Sequence, residues 1–591
     1  MDEGSSQGGL RFASEGLMGE LGHRLVADGV IEASQLSDYL SRSTLTGEPL
    51  DRLLLKDGVV AESVLLPRLA DVVGIPCASM SHYKVDHATT ARLPSRAALK
   101  YKVVPVAADT SSVTLATSVA PGREMVDSLR LLLGGQIYFV LCPEAEVTRS
   151  IKHFYGLGAE ALDEMISSAA TNEIQETDLT EEGTDPGVLR FVNQLIAEAI
   201  RMDATDVHIE PFESRMRVRY RIDGVLQVIP VPKGIEKLQK AIASAIKIMA
   251  QLNIAERRKP HDGRIKVRLG DSEFDLRVSI LPTRYGETID LRILNRNSMF
   301  IDLEHLGLKG HQIPIIESLS ALPHGIVLIT GPTGSGKTTT LYATLSRLNK
   351  EGVKIITAED PIEYQMDGIS QIQTHSQIGL TFSTILRSIL RHNPDIVLVG
   401  EIRDTETAQI AVQAALTGHL VFSTLHTNDA PSAIVRLIDM GIEPYLVSSC
   451  LEGVIAQRLV RSVCTACREK VAPDPMILEE IARTYPDRVN DKTVFYKANG
   501  CALCNFTGYR GRKALFEMMV IDDDLRGMIA HQESSGQVRL RAMKNGLITL
   551  RQDGWSSVLD GITTIEEVLR VAHRVEATTY LGARKGMGQN A

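Results

Sequence analysis

The sequence predicts a multidomain α/β chain: a parallel-sheet core, a smaller α/β middle domain and a mostly helical N-terminal part. Three observations carry this. Short apolar runs, Ile326-Val327-Leu328-Ile329, Lys354-Ile355-Ile356-Thr357, Ile396-Val397-Leu398-Val399 and Leu420 to Leu425, recur across the second half, and each leads into a glycine-rich or polar stretch. Arg215 to Ile222 alternates strictly, so it reads as a half-buried strand in a separate middle domain. A tandem repeat near the N-terminus carries helical spacing. At 591 residues the chain is too long for one core, and three or four domains are expected.

The first apolar run leads into Gly331-Pro332-Thr333-Gly334-Ser335-Gly336-Lys337-Thr338, a complete G-x-x-x-x-G-K-[ST] loop, followed by Thr339 and a helix-forming stretch from Leu341 to Leu348. Strand, glycine loop and helix come in the order phosphate binding needs. Glycines let backbone N–H groups turn toward phosphate oxygens, and the helix N-terminus adds a favourable dipole. Lys337 is expected to reach the β- and γ-phosphates of ATP, and the Thr338 hydroxyl to hold Mg²⁺.

Hydrophobic content of 44% with 23% charged residues suits a globular protein. No apolar run approaches the ~20 residues of a membrane helix, and the N-terminus lacks a signal-peptide pattern, so a cytoplasmic chain is expected. The net charge of −9 is concentrated. Between Lys152 and Arg190 there is no Lys or Arg, and the nine acids from Glu160 to Asp185 equal the whole net charge. Residues 157–186 therefore read as an acidic flexible linker, with a solvated helix over Ala159 to Ser168 as the alternative. The near-neutral remainder argues against nucleic acid as a partner.

Before the linker, residues 1–156 open on the repeat. Leu21-Gly22…Leu25…Gly29…Leu36…Leu40 is echoed by Leu50-Asp51…Leu54…Gly58…Leu65…Leu69, with the two glycines 29 residues apart. Each copy reads as a helix, a glycine C-cap and a second helix. Val103 to Val140 then alternates strands with one helix, a small α/β half.

In the middle domain, 187–300, Arg215, Arg217, Arg219 and Arg221 fall on one strand face. A hairpin turning at Gly270-Asp271 would set Arg268 against Glu273 and Lys266 against Asp275, so those charges need no ligand. The 215–221 row has no such partner evident in sequence. A solvated face and an anion site, for phosphate or for the acidic linker, both remain open.

In the last domain, 301–591, the run 354–357 ends near Glu359, Asp360 and Glu363, and the run 396–399 ends at Gly400-Glu401. Acids at the carboxyl edge of a parallel sheet beside a phosphate loop suit Mg²⁺ and a water to be activated. His419 and His426 flank the run 420–425 and are candidates to sense a γ-phosphate.

Cys464-x-x-Cys467 and Cys501-x-x-Cys504, separated by 33 residues, form two knuckle-like pairs among seven cysteines. The spacing suits a closed structural Zn²⁺ site in a module over about 461–513, with two redox pairs as the alternative. Cys77, Cys142 and Cys450 are scattered and read as inert.

These residues carry a resemblance. Thr357-Ala358-Glu359-Asp360-Pro361-Ile362-Glu363-Tyr364 resembles the Asp box of the type II secretion and type IV pilus assembly ATPases. Arg387…Arg391-His392-Asn393-Pro394-Asp395 through Asp404 resembles their Walker B region, Thr417 through Asn428 their His box, and Asp203-Ala204-Thr205-Asp206-Val207-His208-Ile209-Glu210-Pro211 the opening of their second N-terminal domain. The similarity runs from about Pro186 to the C-terminus. It implies a RecA-like ATPase core with a helical C-terminal part, a PAS-like middle domain and a homo-hexameric ring in which the middle domain packs on a neighbour. It also implies Glu363 as the water-activating acid, Glu401 as the Walker B acid, Glu359 and Asp360 supporting the metal, and His419 and His426 reading the γ-phosphate. Arg387 and Arg391 match motif arginines, and Arg217 and Arg219 lie where the family brings arginines to a nucleotide. His261 stands where the family usually has glutamine.

The family's assembly motors carry a similar tetracysteine insertion that its retraction motors lack. Its N-terminal repeat binds cyclic di-GMP in some members. Here Glu20, Ser43 and Asp51 depart from the binding version, so cyclic di-GMP is disfavoured and docking on an inner-membrane protein is expected. The resemblance implies a motor at the inner face of the inner membrane. It would hydrolyse Mg-ATP to drive pseudopilus assembly in type II secretion, through a polytopic platform protein, with pilus assembly as the alternative. A DNA translocase would show basic pore loops, and a non-hydrolysing nucleotide-gated adaptor would have lost one of the acids.

Overall fold

A computed structural model describes residues 12, 15–83, 85–109, 111–155, 186–232, 234–270, 272–295 and 302–572. The proposed linker, apart from Pro186, lies outside them. The chain divides into two compact units, residues 1–295 with 500–507, and residues 296–499 with 508–591.

The first unit opens with four helices, Glu15–Ala27, Ala33–Thr46, Leu50–Lys56 and Glu62–Val73, as the repeat requires. Both repeat glycines are left-handed, at φ +68°. Gly29 and Val30 donate to Val26 and Leu25, and Gly58 and Val59 donate to Leu55 and Leu54, so two Schellman caps are built alike. Leu21, Leu25, Leu50, Leu54 and Leu65 are fully buried in one cluster.

Three strands follow: β1 (Val103–Ala108), β2 (Ser112–Thr117) and β3 (Gln136–Leu141). The β1–β2 pair is antiparallel, and β2–β3 is parallel across the helix Arg123–Leu133. One face packs on the repeat helices, while Val104, Val106, Ala116 and Val140 face a second cluster with Val147 and Ile151.

The helix Pro186–Arg201 then leads into a six-stranded antiparallel sheet. Its strands are β4 (Ala204–Pro211), β5 (Met216–Ile222), β6 (Val225–Ile229), β7 (His261–Leu269), β8 (Ser272–Thr283) and β9 (Gly286–Asn295), in the order β6-β5-β4-β9-β8-β7. Met216, Val218, Tyr220 and Ile222 are buried, so the β5 alternation holds. Arg268 pairs opposite Glu273 and Lys266 opposite Asp275, as the hairpin reading requires.

The second unit is an α/β domain built on a mostly parallel sheet. Its strands are β10 (Gly325–Thr330), β11 (Ile355–Glu359), β12 (Ser370–Gln373), β13 (Ile396–Val399), β14 (Leu420–Leu425), β15 (Leu451–Val463), β16 (Glu469–Val471), β17 (Phe495–Lys497) and β18 (Tyr509–Val520). Seven form one sheet in the order β12-β11-β13-β14-β10-β15-β18, parallel except at β18, and β16 and β17 form a separate ribbon. Inserting β14 between the phosphate-loop strand and β13 brings the ends of β10, β14 and β13 side by side.

Alternation along the buried strands feeds two cores. Val327, Ile329, Leu398, Phe422 and Ile455 pack with Leu341 and Leu345 of the helix Lys337–Leu348. Ile326, Leu328, Val397, Val421, Val454 and Ala456 pack on the opposite face. Four short helices from Asp523–Ala530 to Ile565–Val571 end the described chain.

Candidate active site

The phosphate loop leaves β10 at Thr330 and enters its helix at Lys337, four residues before the apolar pattern begins, because Gly336 caps it in the left-handed region at φ +87°. Gly331 sits at φ +152°, and a Cβ there would lie 2.6 Å from both Gln457 O and Ser335 Oγ. Only glycine fits. Pro332, Thr333, Gly334 and Thr338 are exposed, and Thr339 is half-buried. Ser335 is 4% exposed, and its hydroxyl has no hydrogen-bond partner, an unmet donor inside the loop. Lys337 Nζ donates to Gly331 O at 2.8 Å and Pro332 O at 3.1 Å. Burial holds its pKa down to about 8. A half-buried ammonium on carbonyl acceptors and an orphan hydroxyl fit a loop built to receive phosphate oxygens.

Glu401, just beyond β13, comes to the same place. Its carboxylate pairs with Arg403, and His426 Nε2 lies 3.2 Å from its other oxygen. Its negative charge acts on Lys337, and the negative charge of Asp360 acts on Arg403. The structure thus gathers Lys337, Glu401 and His426 at the carboxyl edge, with Arg403 added.

Glu359 is turned inward and 4% exposed. Its carboxylate accepts from the Tyr342 hydroxyl, from Thr357 Oγ1 at 2.5 Å and from Gln371 Nε2 at 3.1 Å. That cluster ties the loop's helix to β11 and β12. Burial, reinforced by Glu359, pushes the Tyr342 phenol above its ordinary pKa. Asp360 is exposed and Glu363 half-buried on the segment that follows.

Two expectations need correction. His419 does not share this site within the chain. It precedes β14, its carbonyl accepts from Gly325 N at the start of β10, and its Nδ1 lies 3.0 Å from Ala414 O. A parallel strand separates the two histidines that flank it, leaving His426 at the loop's edge and His419 at the opposite one. The β5 arginine row is also not without partners. Antiparallel register sets Glu210 opposite Arg217 and Asp206 opposite Arg221. Arg217 Nε meets Glu210 at 2.8 Å, Arg219 pairs with the same carboxylate, and Arg221 Nε lies 3.3 Å from Asp206. The acids were in the sequence, but only the strand register shows that they face the row.

Arg387 and Arg391 are exposed at the end of the helix Phe382–Ile389 and in the turn after it. Arg387 pairs with Glu406, and Arg391 donates to Arg387 O at 2.8 Å and Ser388 Oγ at 3.1 Å.

Sequence reasoning missed Gln457 and Arg458. Gln457 Oε1 accepts from Thr340 Oγ1 at 2.9 Å beneath the loop's helix. Arg458, 7% exposed, donates to Gln457 O, Asn428 O and Asn428 Oδ1 at 3.1, 2.9 and 3.2 Å. A Gln-Arg pair interrupting the apolar run Val454 to Val460 was the available signal.

Cys464, Cys467, Cys501 and Cys504 bring four sulfurs within 4.8 Å of one another. Cys501 Sγ and Cys504 Sγ are 3.8 Å apart, and Cys501 N–H donates to Cys504 Sγ at 3.1 Å. Thiolates 2.3 Å from a tetrahedral ion sit about 3.8 Å apart, so the donor set fits Zn²⁺.

No helix among the described residues is long and apolar enough to cross a membrane. Over 94% of this chain and 99% of its own length, the type IV pilus assembly ATPase PilB of Myxococcus xanthus is 40% identical. The type II secretion system protein E of Xanthomonas campestris pv. campestris is 46% identical over 76% of this chain and 78% of its own. The solved Legionella pneumophila ATPase DotB is 21% identical over 67% of this chain and 97% of its own, at a TM-score of 0.49. An MshEN domain matches residues 73–161, beyond most of the repeat rather than on it. The Type II/IV secretion system protein family matches residues 181–570, and with these relatives it shows that the chain belongs to that family of secretion ATPases.

Proposed function

We propose that the chain is the ATP-hydrolysing motor of a type II secretion system, working as a homo-hexamer at the inner face of the inner membrane. Convergence of Lys337, Glu401 and His426 beside the phosphate loop carries this reading. The loop's N–H groups and Lys337 would bind the β- and γ-phosphates. Thr338 and Glu401, with Asp360, would hold Mg²⁺, which when bound draws charge from the phosphates. Glu363 would orient and deprotonate the attacking water. Arg217, Arg219, Arg387 and Arg391 would complete the site from a neighbouring subunit, and His419 would act outside its own subunit's loop. The cysteine module would hold structural Zn²⁺, and residues 1–156 would dock on an inner-membrane protein.

The near full-length match to a pilus assembly ATPase favours a second reading, pilus extension. A chromosomal Lys337→Ala variant, scored for extracellular proteins and surface pili at unchanged protein level, separates the two. Loss of secreted proteins with pili intact supports the secretion motor, and loss of pili alone supports the pilus motor. Normal levels of both overturn the export reading. Mg-ATP binding by the wild-type protein without turnover would instead mark an adaptor.

A further inference from the structure

Arg458 is nearly enclosed yet has no acid partner: among the described residues no carboxylate pairs with it, and its three hydrogen bonds go to two backbone carbonyls and the Asn428 amide. Arginines this buried are nearly always paired, because an uncompensated charge in a dry interior is costly. Burial pulls its pKa down, against the weaker and opposing influence of Asp429 and Glu517.

Its position explains what would compensate it. Register aligns Thr330 with Ala456, so Arg458 lies past the end of β10, level with the loop. A Cβ on Gly331 would sit 3.1 Å from Arg458 Nη1. The carbonyl of the same glycine accepts from Lys337 Nζ at 2.8 Å, and the positive charge of Arg458 acts on Lys337. Two cations thus bracket one glycine, and each hydrogen-bonds only to neutral acceptors, while the Glu401 carboxylate acts on Lys337 more strongly than Arg458 does. Gln457 and Asn428 hold the arrangement from below and from the loop after β14.

We propose, resting on the nucleotide reading of the loop, that Arg458 is a built-in counter-charge for the nucleotide's phosphates. It acts across Gly331 from beneath the loop, while Asn428 positions its guanidinium. The ligand-free site is electrostatically frustrated, and each added phosphate relieves it. Arg458 therefore sets how strongly the site discriminates ADP from AMP. The same contact ties phosphate occupancy to the loop that carries His426.

The test is calorimetric binding of Mg-ADP and AMP to the full chain in wild-type, Lys337→Ala, Arg458→Gln, Arg458→Lys and Asn428→Ala forms. Arg458→Gln is expected to lower the ADP-over-AMP preference on the order of tenfold or more, the scale of one unit charge acting on another near a protein surface at an effective dielectric near 20. It should leave ligand-free melting unchanged or raised. Arg458→Lys should keep most of the preference, and Asn428→Ala part of it. A folded Arg458→Gln protein with the wild-type preference and a lowered ligand-free melting point overturns the inference and makes Arg458 a brace. Should Arg458→Gln not fold, loss of the preference in a folded Arg458→Lys protein overturns it equally. Wild-type protein that binds neither nucleotide, or Lys337→Ala protein that binds ADP as well as wild type, would sink the nucleotide reading itself instead.

Discussion

At the residue scale, the site is a set of charges each held by a provisional partner. Lys337 leans on two carbonyls, and Glu401 is shared by Arg403 and His426. Lys337 has a measurable consequence. Its pKa in the folded chain, about 8, lies below the ordinary 10.5 because of burial. A cation whose pKa falls on folding binds its proton more tightly in the unfolded chain, so it destabilises the fold below pH 8. The penalty is relieved as pH rises from about 8 to 10.5. Ligand-free wild-type protein should therefore gain stability across that window relative to Lys337→Met. Parallel denaturation curves for the two proteins between pH 8 and 10.5 would contradict this. Mg-ADP, which supplies a counter-charge, should flatten the difference.

Among the elements, the glycine-capped repeat isolates a single term. A Cβ on Gly58 would meet nothing within 4 Å, while its φ of +68° disfavours any side chain. Gly58→Ala should cost about 1 kcal/mol, all of it backbone strain, because no packing is lost. A denaturant midpoint for the first unit that stays at the wild-type value would show that the cap is not held in this conformation. Local features of this kind were legible in sequence: both caps, the β5 alternation, the 266–275 charge pairs and the strand-loop-helix order. Features set by pairing between distant strands were not. The partners of Arg217 and Arg219 depend on the β4–β5 register, and the inward turn of Glu359 depends on Tyr342 from another element. The histidines show the same limit: spacing placed both beside β14 but not at which end of the sheet each would lie.

For the whole molecule, the proposed ring has a consequence at the nucleotide site. Arg387, Arg391, Arg217 and Arg219 each find partners within the chain, yet none of those partners belongs to the phosphate loop. A guanidinium has five N–H donors, so one carboxylate leaves capacity for a second anion. If these arginines serve a neighbour's nucleotide, two inactive chains should repair each other. Lys337→Ala subunits keep the arginines, and Arg217→Ala/Arg219→Ala subunits keep the loop. In rings mixed one to one at random, a loop-intact subunit meets an arginine-intact neighbour at about a quarter of interfaces, so about a quarter of wild-type turnover should return. Each variant alone should hydrolyse little ATP. Mixtures that stay as inactive as their components, although light scattering shows mixed hexamers, would place the arginines in the service of their own subunit. Turnover by the arginine variant alone at the wild-type rate would remove Arg217 and Arg219 from the nucleotide site and leave the row to its pairing with Glu210.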